Sequence, residues 1–175
     1  MIMKKIFCML LAIMMLLVLC ACDGQNDNST TTTVPTTGNN DGKPVGYLFT
    51  SDNGTQFGVK MPMAGLIDKL GEPRSKETSE SCAFAGLDTV YKYDSFWISA
   101  NDEGGYEMIY EITLTDDLVK TEEGICIGAS AADVTAKYGA SEGSSDALLV
   151  YSKDGMKLMF VITNGAVTKI RYTML

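Results

Sequence analysis

Five cysteines and no histidine define the reactive inventory of this chain of 175 residues. Without imidazole, the chain lacks the commonest general base and the commonest zinc ligand. Gly139-Ala140-Ser141-Glu142-Gly143 has the spacing of a nucleophile elbow. That device needs a strand before the serine, a helix after it and a histidine partner. Here the pattern predicts a helix before Ser141 and a loop after it. Ser51-Asp52-Asn53 matches one piece of the penicillin-recognising set, but no Ser-x-x-Lys supplies a nucleophile. It reads as a hairpin turn. The acid pairs Asp102-Glu103, Asp116-Asp117 and Glu122-Glu123 fall at predicted turns and links. Neighbours on a strand point to opposite faces, so such pairs serve poorly as acid and base. The expectation is a non-enzymatic protein, with no catalytic residues, metal or cofactor.

The cysteine whose context carries chemistry is Cys22. Lys4 and Lys5 precede an unbroken apolar run of 14 residues, Ile6 to Leu19, which ends in Leu19-Cys20-Ala21-Cys22. The run is short for a membrane-spanning helix and stops at small residues. It resembles a bacterial lipoprotein signal peptide, although lipoboxes usually carry another residue type at Cys20. The resemblance implies cleavage after Ala21 and acylation of Cys22. The mature protein would then be extracytoplasmic and held at the cell membrane by lipid. Ordinary cleavage after Ala21 and an uncleaved anchor are the alternatives.

Residues 22–45 contain Asp, Asn, Thr and Gly with almost nothing to bury, which predicts a disordered tether. About 20 such residues reach roughly 25 Å as a flexible coil. Removing Lys4 and Lys5 from the 14 basic residues leaves 12 against 22 acidic ones, a net charge of −10. Nucleic acid is a poor partner for such a chain. Cys82 and Cys126 remain as a candidate disulfide or as two separate thiols.

The elements that must position any site lie in 46–175, read as one globular region made of two copies of a unit, about 56–117 and 124–175. Val59, Leu66, Leu70 and Gly71 match Ile127, Val134, Tyr138 and Gly139 in order. Val90-Tyr91 aligns with Val150-Tyr151, and Ile112 and Leu114 with Ile170 and Tyr172. Each copy reads as a helix followed by three strands, an α+β fold with an antiparallel sheet and helices on one face. Pro62 and Gly71 bracket the first helix. Ser130 with Asp133 is a capping-box spacing for the second, which Gly139 closes. Asp154-Gly155 and Asn164-Gly165 are hairpin turns, and Asn53-Gly54 joins an extra hairpin at the front.

Gly124-Ile125-Cys126-Ile127-Gly128, with Asp133-Val134 and Tyr138-Gly139, resembles the helix-and-sheet unit of the β-lactamase inhibitor proteins. It is also similar to the small lipoprotein of the outer-membrane assembly machinery. The resemblance implies a tandem binding scaffold with an open sheet face.

Strict alternation places Tyr106, Met108, Tyr110, Ile112 and Leu114 on one face, and Glu107, Ile109, Glu111 and Thr113 on the other. If Phe96 and Ile98 face the helices, Trp97 faces outward; the opposite phase puts Trp97 in the core. The outward phase yields a protein-binding surface of Trp97, Ile109 and Met159, rimmed by Glu107, Glu111, Lys157, Lys169 and Arg171. The expected partner is an unidentified envelope protein. A sensor or carrier of a small envelope ligand, in a groove between the copies, is the alternative.

Overall fold

The computed structural model describes residues 45–143 and 145–175. The leader, Cys22 and nearly all of the tether lie outside the described residues.

Alternating apolar residues and paired turn residues build a sheet here because each strand can bury one face and solvate the other. The chain order is β1 (Phe49–Thr50), β2 (Gln56–Phe57), α1 (Leu66–Leu70), β3 (Ser75–Glu80), β4 (Leu87–Lys92), β5 (Phe96–Glu103) and β6 (Tyr106–Leu114). After it come α2 (Ala131–Tyr138), β7 (Leu148–Lys153), β8 (Met156–Thr163) and β9 (Ala166–Met174). Strands β3 to β9 form one seven-stranded sheet in the order β3-β4-β5-β6-β9-β8-β7, antiparallel throughout. The expected α+β character holds in this form: the described residues are mostly antiparallel sheet with two short helices.

One face of the sheet is the core face. Tyr91, Ile98, Ile112, Tyr172, Leu158 and Tyr151 form a single buried row across six strands, each opposite the next. Phe96, Leu114, Ile170, Phe160 and Leu149 form the row beside it. Leu66 of α1 and Val134 of α2 join the same buried cluster, so both helices lie on this face. The front hairpin of β1 and β2, predicted around Asn53-Gly54, also packs there. Phe49 meets Phe57 and Phe96 at ring-centroid distances of 5.4 and 5.0 Å. A buried Phe of this kind contributes roughly 2–3 kcal/mol.

Turn chemistry sets the pairing registers. Asp154-Gly155 and Asn164-Gly165 all have positive φ, the backbone that a tight two-residue hairpin requires. The capping box at α2 is present: Ser130 Oγ accepts from the Asp133 amide, and the Asp133 carboxylate accepts from the Ser130 amide.

Three expectations need correction. First, α1 starts at Leu66, not beside Pro62, because the chain before it is held elsewhere. The Lys60 and Met63 amides donate to the Ile109 and Glu107 carbonyls, and the Ile109 amide donates to Met61. Residues 60–63 thus continue the sheet past the end of β9. Second, four strands rather than three follow α1. The additional β3 reads Ser-Lys-Glu-Thr-Ser-Glu and buries none of its side chains, so no apolar pattern announced it. Third, alternation fails in β6. Ser99 faces Glu111 but Ala100 faces Ile109, leaving Tyr110 as the extra residue of a bulge. A bulge reverses the facing of everything beyond it. β9 has the same interruption at Thr168, between Lys169 opposite Val161 and Val167 opposite Ile162.

Candidate functional site

The sheet face opposite the helices carries the residues singled out for binding. Trp97 is there and 42% exposed, because its neighbours Phe96 and Ile98 are buried on the core side. Pairing places it in one row with Lys92, Thr113, Arg171, Met159 and Val150, each opposite the next. A second row runs Glu77, Val90, Ser99, Glu111, Thr173, Lys157 and Ser152. Lys169 lies opposite Val161, at the next outward position of β9. The structure therefore brings Trp97, Met159, Glu111, Lys157, Lys169 and Arg171 onto one surface.

Ile109 and Glu107 do not belong to it. Ile109 is fully buried on the core face, and Glu107 lies on that same side, accepting a hydrogen bond from the Tyr91 hydroxyl at 2.5 Å. The cause is the Tyr110 bulge, which reverses the facing of the β6 residues before it. Burial, reinforced by the Glu107 carboxylate, raises the Tyr91 hydroxyl well above its ordinary value. Thr113 stands on the outer face as alternation places it. The residues that alternation missed there are Lys92, Val90 and Val150. They follow from the pairing registers, which a single strand's periodicity does not contain.

Charge on this face is locally compensated. Lys92 Nζ donates to Glu77 Oε1 at 2.6 Å and lies 5.1 Å from the Trp97 ring centroid. Arg171 Nη1 donates to Glu111 Oε2 at 3.3 Å. Lys157 and Lys169 add positive charge to a chain whose overall balance is −8. Past the bulge the face dips into a hollow of about 260 Å³ lined by Phe84, Asn101, Met108, Tyr110 and Met174. Burial and the Asp88 carboxylate raise the Tyr110 hydroxyl.

A second hollow, of about 290 Å³, opens at the end of the sheet beside the α1 terminus. Tyr93, Phe96 and Leu70 contribute its apolar surface, and Asp52, Glu72, Arg74 and Asp94 its charges. Arg74 pairs with Asp94, and the Tyr93 hydroxyl donates to the Gly71 carbonyl at 3.2 Å.

Serines with suggestive contexts are engaged in local structure. Ser51 Oγ donates to Asn53 Oδ1 at 2.8 Å inside the β1–β2 turn. Ser141 Oγ accepts from the amides of Gly143 and Val150, closing the free edge of β7. Glu142 continues that closure by accepting from the Ser152 amide and hydroxyl, which lowers its pKa. Glu123 accepts from the Tyr138 hydroxyl, whose pKa burial and this contact raise. Cys82 is exposed and Cys126 partly buried, and both are free thiols, so the candidate disulfide is not formed. Among the described residues, no group of three Cys, Asp or Glu side chains is arranged to hold a metal ion, and no helix is long and apolar enough to cross a membrane.

No protein-family model matches the chain, and neither a curated protein nor a solved structure matches it.

Proposed function

We propose that this is a non-enzymatic lipoprotein, anchored outside the cytoplasm through lipid on Cys22, that binds an envelope protein by the outer face of its sheet. The observation that carries this reading is the row of Lys92, Trp97, Arg171 and Met159, joined through the buried Thr113, on a sheet face that no helix or hairpin among the described residues covers. Both helices and the front hairpin pack on the opposite face, so a large aromatic and an aliphatic side chain stand outward among hydrogen-bonding groups. That mixture of an aromatic anchor within a polar rim is the composition of protein-binding surfaces. The leader sequence supports the location.

The scaffold reading is a tandem duplication, similar to the two families of helix-and-sheet binding proteins named above. Paired backbone bonds support it. Lys60 and Met63 donate to Ile109 and Glu107 just as Gly128 and Ala131 donate to Val167 and Gly165. The bulges at Tyr110 and Thr168 fall at matching places. Tyr93 donates to the Gly71 carbonyl as Tyr151 does to Gly139. These bonds align Tyr93, rather than Tyr91, with Tyr151.

The test is capture from solubilised envelope with the full chain, wild type beside Trp97→Glu and Arg171→Glu, each verified as folded. A protein retained by wild type and released by both substitutions supports the reading. Equal retention by all three moves the interface elsewhere. The hollow beside Tyr93 favours a second reading, a carrier or sensor of a small ligand. It lies at one end of the sheet rather than in a groove between the copies.

A further inference from the structure

The edges of the sheet are treated differently. The free edge of β7 is closed by Ser141 and Glu142, whereas β3 at the other edge has all six side chains exposed and, among the described residues, pairs with β4 alone. An uncovered edge strand is a template for another strand. Its hydrogen-bonding groups can be assigned. The Ser81 amide donates to the Gly86 carbonyl, so the odd-numbered residues of β3 turn their backbone groups toward β4. Lys76, Thr78 and Glu80 therefore turn theirs outward.

We infer that β3 pairs with β3 of a second copy of this chain, antiparallel about a two-fold axis at Thr78. The two seven-stranded sheets then become one. Charge selects both the partner and the register. Lys76 and Glu80 stand two residues either side of Thr78, on one face of the strand. With Thr78 opposite Thr78, Lys76 faces Glu80 twice and Glu77 faces Ser79. Opposite charges directly across a ladder stabilise it, and like charges oppose it. Shifting the register two residues one way sets Glu77 against Glu77, and four residues sets Lys76 against Lys76. Shifting it four residues the other way sets Glu80 against Glu80. Lysine on an edge ordinarily discourages pairing. Here only a strand with a glutamate four residues beyond its lysine satisfies it, and this strand has one.

The test is disulfide trapping of the full chain in membranes, in a Cys82→Ser, Cys126→Ser background. Cα atoms in a hydrogen-bonded antiparallel pair lie about 5.5 Å apart, within disulfide reach. Thr78→Cys is expected to link into a species of doubled mass under mild oxidation. Lys76→Cys, about 13 Å from its own copy at four residues of register, is expected not to link. Equilibrium sedimentation of the detergent-solubilised chain supplies the second measurement. Lys76→Glu is expected to weaken the dimer about tenfold or more, and adding Glu80→Lys to restore it, since the pairs reform with signs exchanged. These side chains are exposed, so the variants retain the fold. Monomer at every concentration, or equal linkage at 76 and 78, overturns the inference.

Discussion

The Lys92 ammonium lies 5.1 Å from the Trp97 ring centroid while donating to Glu77 at 2.6 Å. Three strands thereby contribute to one cluster, and the Trp97 ring stays 42% exposed rather than folded into the core. This arrangement defines the outer face as an organised surface, distinct from the residues whose loss affects folding.

Trp97→Ala is expected to cost less than about 1 kcal/mol of stability, since it removes a partly exposed ring and one exposed cation–π contact. Urea unfolding followed by far-ultraviolet circular dichroism measures this. A loss above about 2 kcal/mol would mean that Trp97 supports the fold. Trp97 is also the single tryptophan, so its fluorescence reports directly on occupancy of this face.

Ile109→Ala is expected to cost about 2–4 kcal/mol, because the side chain is fully buried between Ala100 and the segment at Met61. Met159→Ala, on the outer face, is expected to cost less than half of that. Paired denaturation curves decide it. Comparable losses would refute the facing reversal at Tyr110.

Lys60 has a φ of +65°, where Gly128 stands at +90° in the matching bond pattern. A left-handed non-glycine residue costs about 1–2 kcal/mol. Lys60→Gly is expected to raise stability by about 1 kcal/mol, and Gly128→Lys to lower it by a similar amount. Thermal melting of both variants checks the pair. Destabilisation by Lys60→Gly would assign the lysine a supporting contact instead.

Stability is expected to fall at both ends of the pH range. Burial and contacts with carboxylates raise Tyr91 and Tyr138, and burial raises Tyr172, above the ordinary value of 10.0. A raised folded pKa gives stability that is intact below 10 and lost above it, because the unfolded chain ionises first. Asp133 and Glu142, lowered from 3.8 and 4.5 by hydrogen bonds from Ser130 and Ser152, act in the opposite sense. Their contribution is intact above those values and lost as acid protonates the folded carboxylates. Ultraviolet titration at 295 nm should show the buried tyrosines ionising only with unfolding. A smooth titration in the folded state would contradict their burial.

Much of this architecture was legible where local chemistry coincides with tertiary need. Asn164-Gly165 demanded positive φ, Ser130 and Asp133 spelled out a cap, and Phe96-Trp97-Ile98 alternated in step with the sheet. The failures have one physical root, pairing that a single strand does not encode. β3 exists only because β4 offers an edge, so Lys76, Thr78 and Glu80 carry no burial signal. The Tyr110 bulge arises where β6 exchanges β9 for residues 60–63 as its neighbour. That exchange turned Ile109 inward and Glu107 toward Tyr91. The same exchange held residues 60–63 extended and delayed α1 beyond Pro62.

The most direct measurement is site-specific photocrosslinking of the full chain in the membranes of the cell that makes it. A photoreactive residue would replace Trp97 or Met159 on the outer face, or Lys69 or Lys137 on the exposed helix surfaces. The account predicts one discrete crosslinked protein, of the same mass, from positions 97 and 159 and none from 69 or 137. The same product from the helix positions, with none from 97 and 159, would contradict it.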